Sequence, residues 1–228
     1  MFMNEISTLK SLDYDTGYSK KVQSVMFTYL PEAKNCLKDL SELRCSSDIY
    51  SDFFYQLSQI CHNIRTLTIE FGDIISNGLT DLISLQNNLK SVTLIYYSYE
   101  SENEEEIGTL KLILNNCQYL ETINIWCGDG YLNEKEILEI FAKHSPKNFY
   151  ELEIFYAYKA RSKISFEDLE KFFINWKNRL SQKPLSLIVI KSYDCISLEL
   201  KVENMKIIER YIKMGVIKKF KTKKFEED

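Results

Sequence analysis

The residues able to do chemistry are few, and their spacing argues against a reaction. Glu151 and Glu153 sit two apart. On a strand that spacing puts both carboxylates on one face, where a closed pocket could set them to acid–base work. An open sheet excludes too little water to tune their pKa values, so no enzyme is expected. Gly128-Asp129-Gly130 is a lone Gly-x-Gly without the third glycine of a dinucleotide loop, and reads as a turn. No phosphate-loop, nucleophile-elbow or His-Glu-x-x-His pattern occurs. The six cysteines (Cys36, Cys45, Cys61, Cys117, Cys127, Cys195) form no C-x-x-C pair. With only His62 and His144 beside them, neither a metal site nor a cofactor is expected. They read as free, mostly buried thiols in a reducing compartment, cytoplasmic or nuclear.

Two charge runs remain. Residues 100–106 (ESENEEE) are either a solvated insertion leading into a helix N-terminus or a docking site for a basic partner. Residues 218–224 (KKFKTKK) are either a polar cap on the end of the fold or a weak targeting or nucleic-acid signal. The whole chain carries 29 Lys+Arg against 33 Asp+Glu, a net charge of -4, so neither a nucleic acid nor a membrane is an expected partner. Hydrophobic residues make up 45%, a globular profile, and no apolar run approaches the length of a membrane span.

The elements that must position these residues recur. The pattern apolar, two residues, apolar, one residue, apolar reads I-R-T-L-T-I at 64–69, L-K-S-V-T-L at 89–94 and L-E-T-I-N-I at 120–125. It returns as F-Y-E-L-E-I at 149–154 and L-S-L-I-V-I at 185–190. Every defining position is apolar, and among the intervening ones only Tyr150, Leu187 and Val189 are not polar. Weaker copies stand at 9–14, 22–27, 40–45 and 217–222. Helical periodicity fills the gaps at 48–62, 78–86, 104–116, 133–144, 165–181 and 202–214. Asn133 and Ser165 are placed as N-caps and Gly215 as a stop. Strand–helix alternation means parallel strands. A doubly wound sheet would bury both strand faces, but these strands mostly alternate, so one face must be open. The expected fold is α/β: a solenoid of six to nine strands with a parallel concave sheet and outer helices, over residues 1–217, followed by a charged tail at 218–228.

The segment N-N-C-Q-Y-L-E-T-I-N-I at 115–125 resembles the cysteine-containing leucine-rich repeats of F-box substrate receptors. Q-I-C-H-N-I-R-T-L-T-I at 59–69 matches it, with Cys61 and Cys117 each three residues before the first strand position. The runs 30–45, 82–94 and 142–154 look like repeats of the large F-box/leucine-rich-repeat families of some fungi. The resemblance covers Leu9 to Ile190. It implies a horseshoe that recognises a protein target for an SCF-type ubiquitin ligase. It also implies contact with SCF components if a longer form carries an F-box. The only Leu-Pro, Leu30-Pro31, lies among the repeats and starts no F-box. In the family that module would precede the repeats, so Met1 is expected to be internal to a longer ancestral chain. The other reading is a free-standing scaffold or regulator with no ubiquitin link.

Alternation predicts the partner-facing side chains. The concave face should carry Arg44, Thr66, Thr68, Glu70, Ser91, Thr93, Ile95, Thr122, Asn124 and Trp126. Glu151, Glu153, Phe155, Leu187 and Val189 complete it. The late strands would offer an aromatic and aliphatic strip suited to a protein hot spot. Alternatively, a terminal segment folds over that strip and buries it.

Overall fold

The structure is a computed structural model describing residues 8–14, 28, 32–72, 74–96, 104–128, 132–179 and 183–225. The weak repeat copy at 22–27, Asp129, Gly130 and residues 100–103 of the acidic run lie outside the described residues. The chain divides into two compact units: the described residues up to Tyr96 together with 104–120, and those from Glu121 onward.

In the first unit the elements run β1 (Ser11–Tyr14), α1 (Ala33–Leu37), β2 (Glu42–Ser46), α2 (Ser51–Ile60), β3 (Thr66–Phe71), α3 (Asn77–Ser84), β4 (Ser91–Tyr96) and α4 (Glu104–Asn116). The second unit holds β5 (Thr122–Trp126), α5 (Glu134–His144), β6 (Glu151–Tyr156), α6 (Phe166–Lys177), β7 (Leu185–Lys191), α7 (Val202–Lys213) and β8 (Ile217–Lys224). Each unit is α/β with strands paired in parallel and in sequence order. When each crossover steps to the next strand in the same direction, its handedness puts every helix on one side of the sheet. Accordingly α2 packs on α3 and α3 on α4, and α5 packs on α6 and α6 on α7. Among the described residues no α-helix packs on the other side of either sheet. Among the described residues no helix is long and apolar enough to cross a membrane.

The helix-side face holds the core. Leu67 and Ile69 of β3 and Val92 and Leu94 of β4 are buried against Phe53, Phe54, Leu57, Leu82 and Ile83. In the second unit Ile123, Ile125, Leu152 and Ile154 are buried with Phe141, Phe172, Phe173 and Trp176. Each such side chain contributes about 1.5–3 kcal/mol by leaving water. Strand starts are set by a recurring bond. The carbonyls of Lys10, Ser41, Arg65 and Glu121 each accept two backbone N–H groups from the start of the following strand, at 2.7–3.1 Å. A carbonyl has two lone pairs, so one oxygen fixes the offset between neighbours.

The caps are where the sequence puts them. Asn133 Oδ1 accepts from Lys135 N (3.0 Å) and Glu136 N (3.3 Å), and Ser165 Oγ from Asp168 N (3.2 Å). Gly215 ends α7 at φ 72, a left-handed conformation that strains any residue with a Cβ. One further device joins the C-terminus of α5 to the end of α6. Arg179 donates to the carbonyls of Phe141 and Ser145, and its guanidinium lies 4.9 Å from the Trp176 ring centre.

The position three residues before the strand pattern has a structural task in the repeats at 64–69 and 89–94. Cys61 Sγ donates to Leu37 O at 3.3 Å. One repeat later Gln86 holds that place. Its Nε2 donates to Cys61 O (2.7 Å) and Leu82 O (3.2 Å), and its Oε1 accepts from Ile64 N (3.0 Å). Cys117 recurs at the same place and is buried. The cysteine recurrence was readable in the sequence; Gln86 was not, because a polar residue there breaks the apolar pattern.

The basic segment set apart as a tail from 218 onward is instead the body of a strand. β8 pairs along its whole length with β7, Leu187 opposite Phe220 and Val189 opposite Thr222. The exposed backbone edge of β7 supplies hydrogen bonds that outweigh the poor strand propensity of lysine.

Candidate functional site

The helix-free face is the candidate surface, and parity along each strand decides who is on it. In the first unit it carries Glu42, Arg44 and Ser46, then Thr66, Thr68 and Glu70, then Ser91, Thr93 and Ile95. Arg44 Nε donates to Glu70 Oε1 at 2.7 Å across β2 and β3. Half-exposed pairs of this kind contribute about 0–1 kcal/mol, so the pair orients two charges more than it stabilises the fold. Ile95 is on this face yet only 9% exposed, so it does not present itself to a partner as alternation alone suggests.

In the second unit the face carries Thr122, Asn124 and Trp126, then Glu151, Glu153 and Phe155. Glu153 is the centre of a polar group. Its Oε2 accepts from Asn124 Nδ2 (3.2 Å) and its Oε1 from Lys223 Nζ (3.0 Å). Asn124 Oδ1 is buried and meets no hydrogen-bond donor among the described residues. The Trp126 and Phe155 rings lie 4.4 Å apart, and Phe225 meets Phe155 edge-on at 5.0 Å. Phe155 is thereby 4% exposed, while Trp126 stays half-exposed. Of the expected aromatic strip, Trp126 faces solvent and Phe155 is packed under the residue that follows β8.

Val189 and Leu187 need correcting. The ladder sets Leu152 beside Leu187 and Ile154 beside Val189, which puts both β7 residues on the helix side at 0% exposure. Ser186, Ile188 and Ile190 take the open side. The reason lies in the sequence itself. Apolar residues fill 187–190 without a break, so a period of two has no phase there, and a slip of one residue exchanges the faces.

A buried charge in the second unit was not foreseen. Glu134 opens α5 and its carboxylate is nearly closed off from water. It accepts from Tyr156 Oη, Ser162 Oγ (2.7 Å), Lys163 N (2.8 Å) and Ile164 N (3.3 Å). Burial, and then the Glu134 charge, push the Tyr156 phenol well above its ordinary value. The Cys127 thiol is raised by the same two causes in the same order. A thiol held neutral is no nucleophile. With both carboxylate oxygens accepting and no way in, the cluster pins the 157–165 loop to the start of α5. A glutamate in a first helical turn was legible; partners 22 to 30 residues away were not.

The remaining thiols are similar. Burial pushes Cys61 and Cys117 up to about 12 and raises Cys45 further. Cys195 is partly exposed in a cleft of about 460 Å³ with Lys191, Tyr193, Leu200, Lys224 and Phe225. Burial raises it too, against the opposing pull of Lys191, and its Sγ donates to Ser192 O at 3.2 Å. Glu104–Glu106 open α4, with Glu106 buried. Among the described residues no group of three or more His, Cys, Asp and Glu is placed to hold a metal. The arrangement suits surface recognition better than bond-making. The chain matches no protein-family profile and no curated protein.

Proposed function

We propose that the chain is a protein-recognition module of the leucine-rich-repeat type, presenting the open face of its parallel sheet to a partner. The observation that supports it most is the one-sided placement of the helices. It leaves Arg44, Thr68, Thr93, Asn124, Trp126 and Glu151 half or fully exposed on rigid strands. Side chains fixed on a sheet lose little entropy on binding, which favours recognition. The repeat spacing and the buried Cys61, Gln86 and Cys117, each three residues before a strand pattern, support the horseshoe type.

By its resemblance, the partner is the target of an SCF-type ubiquitin ligase, held near the ubiquitin-carrying enzyme so that proximity raises its effective concentration. A free-standing scaffold or regulator with no ubiquitin link is the second reading.

The test is affinity capture from native lysate with the proteasome inhibited. Wild type is compared with Thr68→Arg/Thr93→Arg, Trp126→Ala, and a helix-side control, Tyr55→Ala, at an exposed residue of α2. Loss of a specific protein from a face variant but not from the control supports the reading; loss from the control alone refutes it. Recovery of cullin with its Skp-type adaptor selects the ligase reading, and a partner without them selects the scaffold.

A further inference from the structure

β8 is the last strand of its sheet and is bonded to β7 alone. Its outer edge therefore presents backbone N–H and C=O groups with no ladder partner among the described residues. That edge is strongly basic in a chain of net charge -4: Lys218, Lys219, Lys221, Lys223 and Lys224. Among the described residues only Lys223 has a carboxylate partner, Glu153. Lys219, Lys221 and Lys223 alternate along one face, about 6.8 Å apart in a regular strand. An added strand has the same repeat, so carboxylates at its alternate positions would each stand beside one lysine.

The end of β8 offers a second feature. Lys224 and Phe225 form one side of the cleft whose other lining includes Tyr193 and Leu200. Tyr193 is 71% exposed, held by its stack on Tyr158 at 4.5 Å, and Leu200 and Phe225 are also exposed. An apolar slot with a cationic rim at the end of a basic edge fits an apolar side chain carried by an acidic segment.

We propose that β8 is a docking edge for an acidic, extended peptide segment, which adds as a strand beside Lys219, Lys221 and Lys223 and seats an apolar side chain between Tyr193, Leu200 and Phe225. Lysines on an edge strand commonly guard against self-pairing. Here the two roles agree: a second copy's β8 would set lysine against lysine, while an acidic strand would replace that repulsion with attraction. A single-stranded nucleic acid could match the charge but has no peptide groups to complete the ladder. Lys219, Lys221 and Lys223 project on the open side of β8, in register with Ser186, Ile188 and Ile190, but the ladder uses the backbone groups of the strand's outer edge, so loss of the peptide is read separately from loss of a face partner.

The probe is a labelled synthetic peptide with glutamates at alternate positions, threonine and valine between them, and a terminal phenylalanine, titrated by fluorescence anisotropy. Saturable, salt-sensitive binding is expected, with new amide protection along β8 in hydrogen exchange. Lys219→Gln/Lys221→Gln/Lys223→Gln should weaken it about tenfold, as should glutamine for glutamate in the peptide. Leu200→Glu should weaken it by closing the slot, and N-methylation of alternate peptide nitrogens should abolish it. All four altered side chains lie at the surface, so circular dichroism should not change. Equal binding by the N-methylated or the glutamine peptide would overturn the proposal. So would tighter binding of oligothymidine than of the peptide, self-association through β8, or no saturable binding.

Discussion

Glu134 shows how a single residue can hold a loop. Its carboxylate is buried, and it is tolerable there because four donors converge on it. Glu134→Gln replaces one accepting oxygen by a donor that must face N–H or O–H groups. The expected loss is about 2–4 kcal/mol in urea unfolding, against about 1.5–3 kcal/mol for Tyr156→Phe. An unchanged midpoint for Glu134→Gln would show the cluster to be unimportant. Gln86→Leu should cost about 1–3 kcal/mol, since it strands Ile64 N and Cys61 O inside the protein. The thiols give a pH dependence with a definite sign. Folded Cys61 and Cys117 keep their protons to about pH 12, while unfolded thiols release theirs near the ordinary value of 9.0. Above pH 9 the folded state binds more protons, so stability is fully present below pH 9 and falls as pH rises. Each such thiol should contribute about 1.4 kcal/mol per pH unit to that fall. Urea midpoints from pH 8 to 11 that stay level would contradict it.

At the scale of elements, legibility followed phase. β3, β4, β5 and β6 alternate cleanly in the sequence, and their burial alternates accordingly over their first residues. β7 has no polar marker between 187 and 190, so its position was legible and its facing was not; Val189 went to the wrong side for that reason. β8 reads in the sequence as a weak repeat copy within a charged tail, because charge obscures an apolar pattern reduced to Ile217 and Phe220. What holds it is the edge of β7, which no local window reveals. The packing of Phe225 and Trp126 on Phe155 also joins residues far apart in sequence. Phe155→Ala should therefore lower stability by about 2–4 kcal/mol in thermal or urea unfolding rather than act only on binding. Trp126→Ala should cost less, about 0.5–1.5 kcal/mol, the contribution of one aromatic pair. Helix contacts are equally tight: a Cβ at Gly78 would stand 2.3 Å from Ser51 O, so Gly78→Ala should force α3 away from α2 and lower the midpoint clearly.

For the whole molecule, the repeating strand–helix unit explains more than any single residue does. Each unit of the chain is built by stepping to the next parallel strand, which leaves one face of its sheet without a packed α-helix among the described residues. The sequence predicts that bare face through its polar intervening positions, and the placement of Thr68, Thr93, Asn124 and Glu151 agrees with the prediction. It could not predict that Ile95, Phe155 and Ile188 would be covered on that same face, since coverage depends on neighbours beyond the strand. The proposed function is that a protein partner meets the open face. Its most direct test is site-specific photo-crosslinking in cells, with the crosslinking residue placed at Thr68, Thr93 or Trp126 on the open side and at Tyr55 or Ile174 on the helix side. One defined crosslinked partner is expected from the open-side positions and none from the helix side. A defined partner captured from Tyr55 or Ile174 alone would contradict it.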